Sequence, residues 1–290
     1  MQAWGGVTGK RVLITGATSG IGLAAAVELA RRGASLTLIA RSEARAARAV
    51  PKIQAARKGA TVDVLVADLA SQASVRKLAT DALARYSSIQ VLINNAGAIY
   101  ARRQLSPDGI ELTWAVNHLA PFLLTSLLLD RLKASAPARI VTTSSGAHEG
   151  ARIPFDDLNA EHSWGGLGFT RYGETKLANV LFTVELAQRL AGTSVTANAF
   201  HPGFVATGFN RNNGLPMRVG MAVTRPFARS PAKGAHTLVW LVDSEAAGDT
   251  SGGYFFDEHL VTPSVAAQDR EVARRLWAIS EAQVQVSAGR

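Results

Sequence analysis

The chain alternates between short, continuous apolar runs and longer amphipathic stretches, with small residues at the turns between them. Runs such as Val12-Leu13-Ile14 and Val91-Leu92-Ile93 show no polar alternation, which is typical of strands buried on both faces of a parallel sheet. We predict strands at Arg11–Ala17, Ser35–Arg41, Thr61–Asp68, Val91–Gly97, Arg139–Ser145, Val195–His201 and Gly253–Phe256. We predict helices at Ile21–Arg32, Glu43–Lys58, Ser71–Tyr86, Pro107–Ala134, Tyr172–Ala191, Pro231–Asp243 and Val265–Gln285.

This regular alternation of strand and helix indicates an α/β fold, because right-handed crossovers between parallel strands build a doubly wound sheet with helices on both faces. No internal repeat or Pro/Gly/Ser-rich linker divides residues 1–290, so a single domain is expected. Two segments fit neither periodicity, an insertion at 146–171 and a segment at about 208–230. Long irregular segments in a compact domain are more often functional than accidental.

The composition excludes several kinds of chemistry. The chain has no cysteine, which excludes disulfides, a thiolate nucleophile and cysteine-ligated metal sites, and no histidine–carboxylate spacing indicates a metal site either. Residues 1–10 contain no apolar signal region, and the longest apolar stretch, Leu119 to Leu129, is too short to span a bilayer. A cytoplasmic protein without a membrane anchor is therefore expected.

The net charge of +9 would ordinarily suggest a polyanionic partner. The charge is concentrated, however: residues 31–58 hold eight basic side chains and one acid, and residues 208–233 hold five basic side chains and no acid. These basic residues are not interleaved with aromatic ones on a recognisable nucleic-acid-binding module. No nucleic-acid partner is expected.

A glycine-rich turn follows the first predicted strand, at Thr15-Gly16-Ala17-Thr18-Ser19-Gly20-Ile21-Gly22. Glycines let such a turn approach a pyrophosphate closely, while the following helix N-terminus supplies N–H donors and partial positive charge. A purely structural turn is the alternative interpretation. In its spacing and its place near the N-terminus, this string resembles the short-chain dehydrogenase/reductase family.

Further motifs of that family follow in its order over nearly the whole chain. They are Asp68-Leu69, Asn94-Asn95-Ala96-Gly97, Val116-Asn117-His118, Ser144-Ser145, Tyr172-Gly173-Glu174-Thr175-Lys176 and Pro202-Gly203-Phe204-Val205-Ala206-Thr207. The resemblance implies a single-domain Rossmann fold with a seven-stranded parallel sheet in the order 3-2-1-4-5-6-7 and a substrate lid at about 208–230. Short motifs arise by chance, but several in one order do not.

Tyr172 and Lys176 are four residues apart and so share one helix face, where the ammonium would lower the pKa of the phenol toward the working pH. The resemblance implies that Tyr172 donates a proton to a carbonyl oxygen during hydride transfer, and that Lys176 also holds the nicotinamide ribose. It further implies that Ser145 binds the developing oxyanion and that Asn117 holds a water that relays protons. Ser144 is the alternative to Ser145, and each residue taken singly also fits an ordinary surface, turn or helix position.

The cofactor expected is NADP(H). Arg41 ends the second strand where NAD-preferring folds place an acid, and a guanidinium suits a 2′-phosphate, with Ser19 and Ser42 as helpers. A solvated strand-end arginine is the alternative. The resemblance implies further cofactor contacts at Gly16, Gly20, Ile21, Gly22, Asp68, Leu69, Asn95, Ala96, Gly97, Tyr172, Lys176, Pro202, Gly203, Val205 and Thr207.

The insertion separates Ser145 from Tyr172 by 27 residues, more than in simple family members, and with Ile153-Pro154-Phe155-Asp156-Asp157-Leu158 it resembles the retinol dehydrogenase-like and WW-domain oxidoreductase-like subgroup. Many membrane-bound retinol dehydrogenases carry a hydrophobic N-terminal anchor, which this sequence does not show, so retinoid specificity is not carried over. The lid is expected to offer an apolar face to a lipophilic substrate. The side chains predicted to form this apolar face are Phe209, Leu215, Met217, Met221 and Phe227.

The function expected from the resemblance is an NADPH-dependent carbonyl reductase, or alcohol dehydrogenase in reverse, acting on a lipophilic ketone or aldehyde as its small-molecule substrate. One alternative is an epimerase, cyclase or dehydratase of the same fold that has no net redox turnover. Another is a non-catalytic NADP(H)-binding regulatory protein. Because family members are often dimers or tetramers, a homodimer or homotetramer is also expected.

Overall fold

The computed structural model of the protein describes residues 4–205 and 228–285. Within these ranges eight strands form one sheet in the order β3-β2-β1-β4-β5-β6-β7-β8. They are β1 Arg11–Thr15, β2 Ser35–Ala40, β3 Val62–Val66, β4 Val91–Asn94, β5 Ala138–Thr143, β6 Val195–Phe200, β7 Tyr254–Phe256 and β8 His259–Leu260. The first seven are parallel, which confirms the predicted α/β fold and strand order.

The eighth strand was not predicted. β8 is only two residues long and returns antiparallel to β7, so it is too short to show a periodicity of its own. Its direction depends on the connecting residues Asp257 and Glu258, whose φ angles of 47° and 68° both lie in the left-handed region. Two consecutive residues with positive φ are the conformation of a tight hairpin turn, here without the glycine or asparagine that usually signals it.

Helices cover both faces of the sheet. They are α1 Gly20–Arg31, α2 Glu43–Gln54, α3 Gln72–Arg85, α4 Leu112–Ala134, α5 Phe169–Arg189, α6 Pro231–Asp243 and α7 Arg270–Val284. Buried side chains of α1, α2 and α6 pack against one face, and those of α3, α4, α5 and α7 pack against the other. The described residues thus form the three layers expected of a doubly wound fold.

Most predicted strands are too long at their carboxyl ends, where the motif residues begin. β1 ends at Thr15 rather than Ala17, and β4 ends at Asn94 rather than Gly97, because the small residues that follow leave the sheet to form turns. In the sequence, small residues such as Ala17 and Ala96 continue the apolar runs, so the predicted strands extended too far. The end of each strand therefore places its motif at one edge of the sheet.

Helix α4 begins at Leu112 rather than Pro107 and contains one π-helical turn, Ala115–Leu119. The apolar stretch Leu119 to Leu129, predicted to be too short to span a bilayer, lies inside this longer helix, which has 23 residues and a mean hydropathy of 1.4 over an 18-residue window and so is long and apolar enough to do so. Two-thirds of that window is buried in the protein, with Phe122 and Leu128 in the core. Length and apolarity of this kind also fit an ordinary core helix.

Candidate active site

The predicted site residues meet where the parallel strands end. Because the carboxyl ends of β1, β4, β5 and β6 lie at one edge of the sheet, the motifs that follow these strands become neighbours despite their separation in sequence. The glycine-rich turn follows β1, and the segment with Asn95 follows β4. The two serines follow β5, and Pro202 and Gly203 follow β6.

The glycines of the turn are needed for close packing. Gly16 has a φ of 70°, and a Cβ atom there would lie 2.9 Å from the Cα of Ala96. A Cβ atom at Gly22 would lie only 2.4 Å from the carbonyl oxygen of Gly16. Ser19 begins α1 without a hydrogen bond from its side chain to the helix N-terminus. The turn therefore presents backbone donors of the first helical turn, as a phosphate site requires.

Asn95 and Thr15 hold this turn against the end of β4. The side-chain Nδ2 of Asn95 donates to the carbonyl oxygen of Thr15 at 3.0 Å. The hydroxyl of Thr15 accepts the backbone N–H groups of Asn95 at 3.0 Å and of Ala96 at 2.9 Å. Asn95 and Ala96 were predicted as cofactor contacts, and here they position the glycine-rich turn. Thr15 was missed, because one threonine at a strand end is not a motif.

The structure separates the two adjacent serines. Ser144 is buried, and its hydroxyl donates to the carbonyl oxygen of Lys176 at 2.7 Å, so it joins β5 to α5. Ser145 instead forms a hydrogen bond with the phenol of Tyr172, and its Oγ also accepts the N–H of Ala147 at 3.2 Å. The hydroxyl of Ser145 therefore lies beside the phenol, whereas that of Ser144 holds two backbone segments together.

Lys176 is buried behind Tyr172. Its Nζ donates to the carbonyl oxygen of Thr143 at 3.0 Å and lies 5.4 Å from the centroid of the Tyr172 ring. Burial lowers the pKa of Lys176 to about 8. Burial also raises the pKa of Tyr172 to about 12, against the opposing effect of the hydrogen bond with Ser145.

The prediction that Lys176 lowers the pKa of Tyr172 is thus wrong for the protein alone. The physical reason is desolvation: a phenolate loses its hydration in this half-buried position, and the hydrogen bond with Ser145 offsets only part of that cost. At neutral pH the phenol keeps its proton and the ammonium keeps its charge.

Asn117 connects three parts of the site. It lies in the π-helical turn of α4, where its Oδ1 accepts the N–H of Ala98 at 2.8 Å. Its Nδ2 donates to the carbonyl oxygen of Ala98 at 2.8 Å and to the hydroxyl of Thr175 at 3.0 Å. A Cβ atom at Gly97 would lie 3.4 Å from both Asn117 Oδ1 and Lys176 Nζ, so this glycine lets the backbone pass close to both groups.

The basic side chain predicted to select the cofactor is accessible. Arg41 is exposed at the end of β2, and Ser42 begins α2 without a hydrogen bond from its side chain to the helix N-terminus.

Arg41 and Asp68 both act electrostatically on Tyr100. Burial raises the pKa of Tyr100, and the charge of Arg41 opposes this shift, while the charge of Asp68 adds to it. Leu69, which was predicted to contact the cofactor, packs against the core, so packing alone explains an apolar residue at this position.

The segment after β6 is held by Arg229. Gly203 has a φ of 76°, and a Cβ atom there would lie 2.8 Å from the Nε of Arg229. Val205 pairs with Arg229 in an isolated parallel bridge, and the Arg229 Nη2 donates to Asp257 Oδ2 at 2.9 Å. Thr207 lies outside the described residues. So do all five predicted apolar lid positions, Phe209, Leu215, Met217, Met221 and Phe227.

Sequence reasoning missed a buried ionic group beside Tyr172. Arg171 pairs with Glu111 at 2.8 Å and with Glu174 at 2.9 Å, and these three side chains are largely hidden from solvent. A charge pattern along the sequence does not reveal such a group, because Glu111 and Arg171 are 60 residues apart.

Comparisons with known proteins identify the family that the chain belongs to. Residues 10–156 match the family described as short chain dehydrogenase. Human retinol dehydrogenase 14 is 44% identical, covering 95% of this chain and 86% of its own. Human retinol dehydrogenase 13 is 40% identical, covering 94% and 84%. A crystal structure of an uncharacterised protein from Mycobacterium paratuberculosis is 32% identical, covers 98% of both chains and superposes with a TM-score of 0.76.

The expectation of a cytoplasmic protein is wrong. Relatives named retinol dehydrogenase 11, 12, 13 and 14 match 93 to 95% of this chain, and this is the group that contains many membrane-bound members. Helix α4 adds one segment that is long and apolar enough to cross a bilayer, although most of it is buried in the core.

Proposed function

Because the chain belongs to the short-chain dehydrogenase/reductase family, in its retinol dehydrogenase-like subgroup, we propose that it is an NADPH-dependent reductase of lipophilic ketones or aldehydes. The same enzyme would oxidise the corresponding alcohol in reverse. Oxidoreduction of a carbonyl or alcohol with NAD(P)(H) follows from the family. Beyond the family's chemistry, we propose that the cofactor is NADPH, that the substrate is lipophilic and that Tyr172 donates the proton.

One observation carries the proposal: a protonated phenol and a buried ammonium meet at the edge of the sheet where the glycine-rich turn lies. Tyr172 forms a hydrogen bond with Ser145, while Lys176 lies 5.4 Å from its ring. A lysine that is buried for structural reasons alone is usually paired with a carboxylate. The pKa of Lys176 is instead shifted by burial alone. A proton donor beside a cation is what reduction of a carbonyl needs.

The residues present fit a dinucleotide cofactor. Gly16 and Gly22 form a cradle that Cβ atoms would fill, directly before the first turn of α1. Ser19 and Ser42 both begin helices without using their hydroxyls as caps, and the exposed Arg41 lies next to Ser42. These groups would hold the pyrophosphate and the 2′-phosphate, because hydroxyls and a guanidinium are donors to phosphate oxygens.

Each polar side chain then has a defined task, while bound NADPH supplies the hydride. Tyr172 donates its phenolic proton to the carbonyl oxygen of the substrate, and the hydroxyl of Ser145 donates a hydrogen bond to the same oxygen. Lys176, charged below a pH of about 8, stabilises the phenolate that remains. Hydride on carbon and a proton on oxygen together make the alcohol.

Exposed apolar side chains lie on chain segments next to those that carry the site, which supports a lipophilic substrate. Leu167, two residues before α5, is 66% exposed, and Phe169, the first residue of α5, is 50% exposed. Phe204, in the segment after β6, is 49% exposed. Large apolar side chains exposed around a catalytic group are typical of a binding surface for an apolar molecule.

The experiment is an assay of NADPH oxidation with a panel of bulky carbonyl compounds that includes retinaldehyde and steroid ketones. Tyr172→Phe should lower kcat by about 10²- to 10⁴-fold, because the hydroxyl that donates the proton is removed. Its affinity for NADPH should stay close to that of the wild type. Tyr86→Phe, which removes a distant hydroxyl that donates to Asp63, is the matched control.

Full activity of Tyr172→Phe would contradict the proposed role of the phenol. Product formation with no net oxidation of NADPH would favour an epimerase, cyclase or dehydratase instead. Absence of turnover across the panel despite tight NADPH binding would favour a regulatory protein.

A further inference from the structure

The proposed proton donor lies in a helical turn that lacks the usual cap. Helix α5 begins at Phe169, so Tyr172 belongs to its first turn. Gly168, at the N-cap, has a φ of 84° and no side chain, and the first turn contains no acidic residue. Uncapped first turns leave backbone N–H groups without partners and fray more easily. Contacts from outside the helix therefore restrain this turn, in addition to the hydrogen bond of Tyr172 with Ser145.

One such contact is made by the side chain of the residue before Tyr172. Arg171 is 1% exposed, and its Nε donates to Glu111 Oε2 at 2.8 Å. Its Nη1 donates to Glu174 Oε2 at 2.9 Å, and its Nη2 donates to the carbonyl oxygen of Leu158 in the insertion. The guanidinium carbon also lies 4.7 Å from the centroid of the Trp114 ring. One planar group thus fixes the start of α5 in several directions.

Glu111 carries the restraint into a second helix. It is fully buried, and its Oε1 accepts the N–H of Thr113 at 2.8 Å, while its Oε2 accepts the N–H of Trp114 at 2.9 Å. The carboxylate therefore caps α4, whose next turn holds Asn117. Through Glu111, Arg171 connects the first turn of the helix that carries Tyr172 to the first turn of the helix that carries Asn117.

Stability alone does not account for this arrangement. A buried ion pair loses hydration, and well-packed apolar residues in its place are often equally stabilising. An ionic fork differs from an apolar contact in that it sets direction, because each N–H must point at its oxygen. We propose that Glu111 and Arg171 are positioning residues that hold Tyr172 in the orientation needed for proton transfer; this inference rests on the proposed function.

The test separates positioning from folding. Arg171→Met alone leaves Glu111 buried without a cation, so its melting temperature should fall. Adding Glu111→Gln removes that charge and keeps an oxygen to cap α4, so the double variant should melt above Arg171→Met, although Glu174 loses its partner in both variants. Its kcat should nevertheless stay at least about tenfold below wild type, with the KM for NADPH unchanged, because a small misplacement of the reacting group slows chemistry.

Arg171→Lys is the conservative variant. It keeps the charge but cannot make the three directed hydrogen bonds, so its kcat should fall less than that of the double variant. Arg189→Met is the matched control, since it removes an ion pair with Glu185 at the far end of the same helix, and its kcat should not change.

Wild-type kcat in a folded double variant, or in a folded Arg171→Lys, would overturn the positioning role. So would a double variant that melts as low as Arg171→Met, since the pair would then serve folding. Tyr172→Phe is measured in parallel: if it is fully active, the proposed function fails, whereas an inactive Tyr172→Phe beside a fully active double variant refutes only the positioning role.

Discussion

At the scale of single residues, burial decides which groups can move protons. The phenol of Tyr172 loses hydration on ionisation and so has a pKa raised to about 12, and burial lowers that of the Lys176 ammonium to about 8. At neutral pH both groups therefore carry their protons. This state suits reduction, in which the phenol gives up a proton and the ammonium stabilises the resulting anion.

The first prediction concerns pH. Because the pKa of Lys176 is lowered to about 8, the charged form predominates below that pH and is lost above it. The kcat for reduction at saturating NADPH should therefore fall as pH rises through about 8. Lys176→Arg should remove this inflection, since a guanidinium stays charged. A flat wild-type profile from about pH 7 to 9.5 would contradict the role of the ammonium.

The second prediction concerns cofactor choice. Arg41→Asp should lower kcat/KM with NADPH by about 10- to 100-fold and raise that with NADH, because a charge-assisted hydrogen bond to the 2′-phosphate is replaced by repulsion. Arg45→Asp makes the same charge change at another exposed position of the neighbouring helix and should leave the preference intact. An unchanged preference for NADPH in Arg41→Asp would assign the selection to other residues.

At the scale of elements, the glycine-rich turn is stabilised from outside the turn itself. The Thr15 hydroxyl and the Asn95 side chain bind backbone groups across β1 and β4, and Gly16 and Gly22 allow the contact. The turn and the end of β4 thus behave as one unit. The phosphate site depends on this unit as much as on the glycine spacing.

The third prediction is made for this unit. Gly22→Ala should destabilise the protein by about 1–3 kcal/mol, because its Cβ atom would overlap the Gly16 carbonyl oxygen, although alanine is the better helix former by about 1 kcal/mol. Its affinity for NADPH should fall as well. Gly165→Ala is the control, since its Cβ atom would meet ordinary contacts of 3.7 Å or more. Equal melting temperatures of the two variants would refute the packing argument.

At the scale of the whole molecule, the C-terminal helix supports the helices that carry the site. Trp277 of α7 lies with its ring centroid 4.8 Å from that of Phe122 in α4 and 5.8 Å from that of Phe182 in α5. Ser280 of α7 forms a hydrogen bond of 2.8 Å with His118, the neighbour of Asn117. Residues far from the motifs thus hold α4 and α5 together.

The fourth prediction follows from this packing. Trp277→Ala should lower the free energy of unfolding by about 3–5 kcal/mol, as expected for deletion of a large buried aromatic side chain. Denaturant unfolding gives the measurement. Trp277→Phe keeps a ring in the same place and should cost less. A loss below about 1 kcal/mol in Trp277→Ala would show that α7 contributes little to the core.

The sequence by itself determined the parallel strands and the position of the motifs, and the family resemblance carried by those motifs supplied the strand order. These features are local: apolar runs, glycine spacing and the residues directly after each strand are properties of adjacent positions. The same locality explains why Tyr172, Lys176 and the glycine-rich turn could be chosen before their contacts were known. The predicted roles of these residues remain proposals for the assays above.

Only the tertiary structure decided the properties that depend on distant residues. The start of α5 at Phe169, the buried contact of Arg171 with Glu111 and the support of α4 by Trp277 all join residues far apart in sequence. The direction of the Tyr172 pKa shift also had to come from the fold, since it follows from burial. Desolvation and long-range packing arise only when the chain has folded, so no pattern of neighbouring residues contains them.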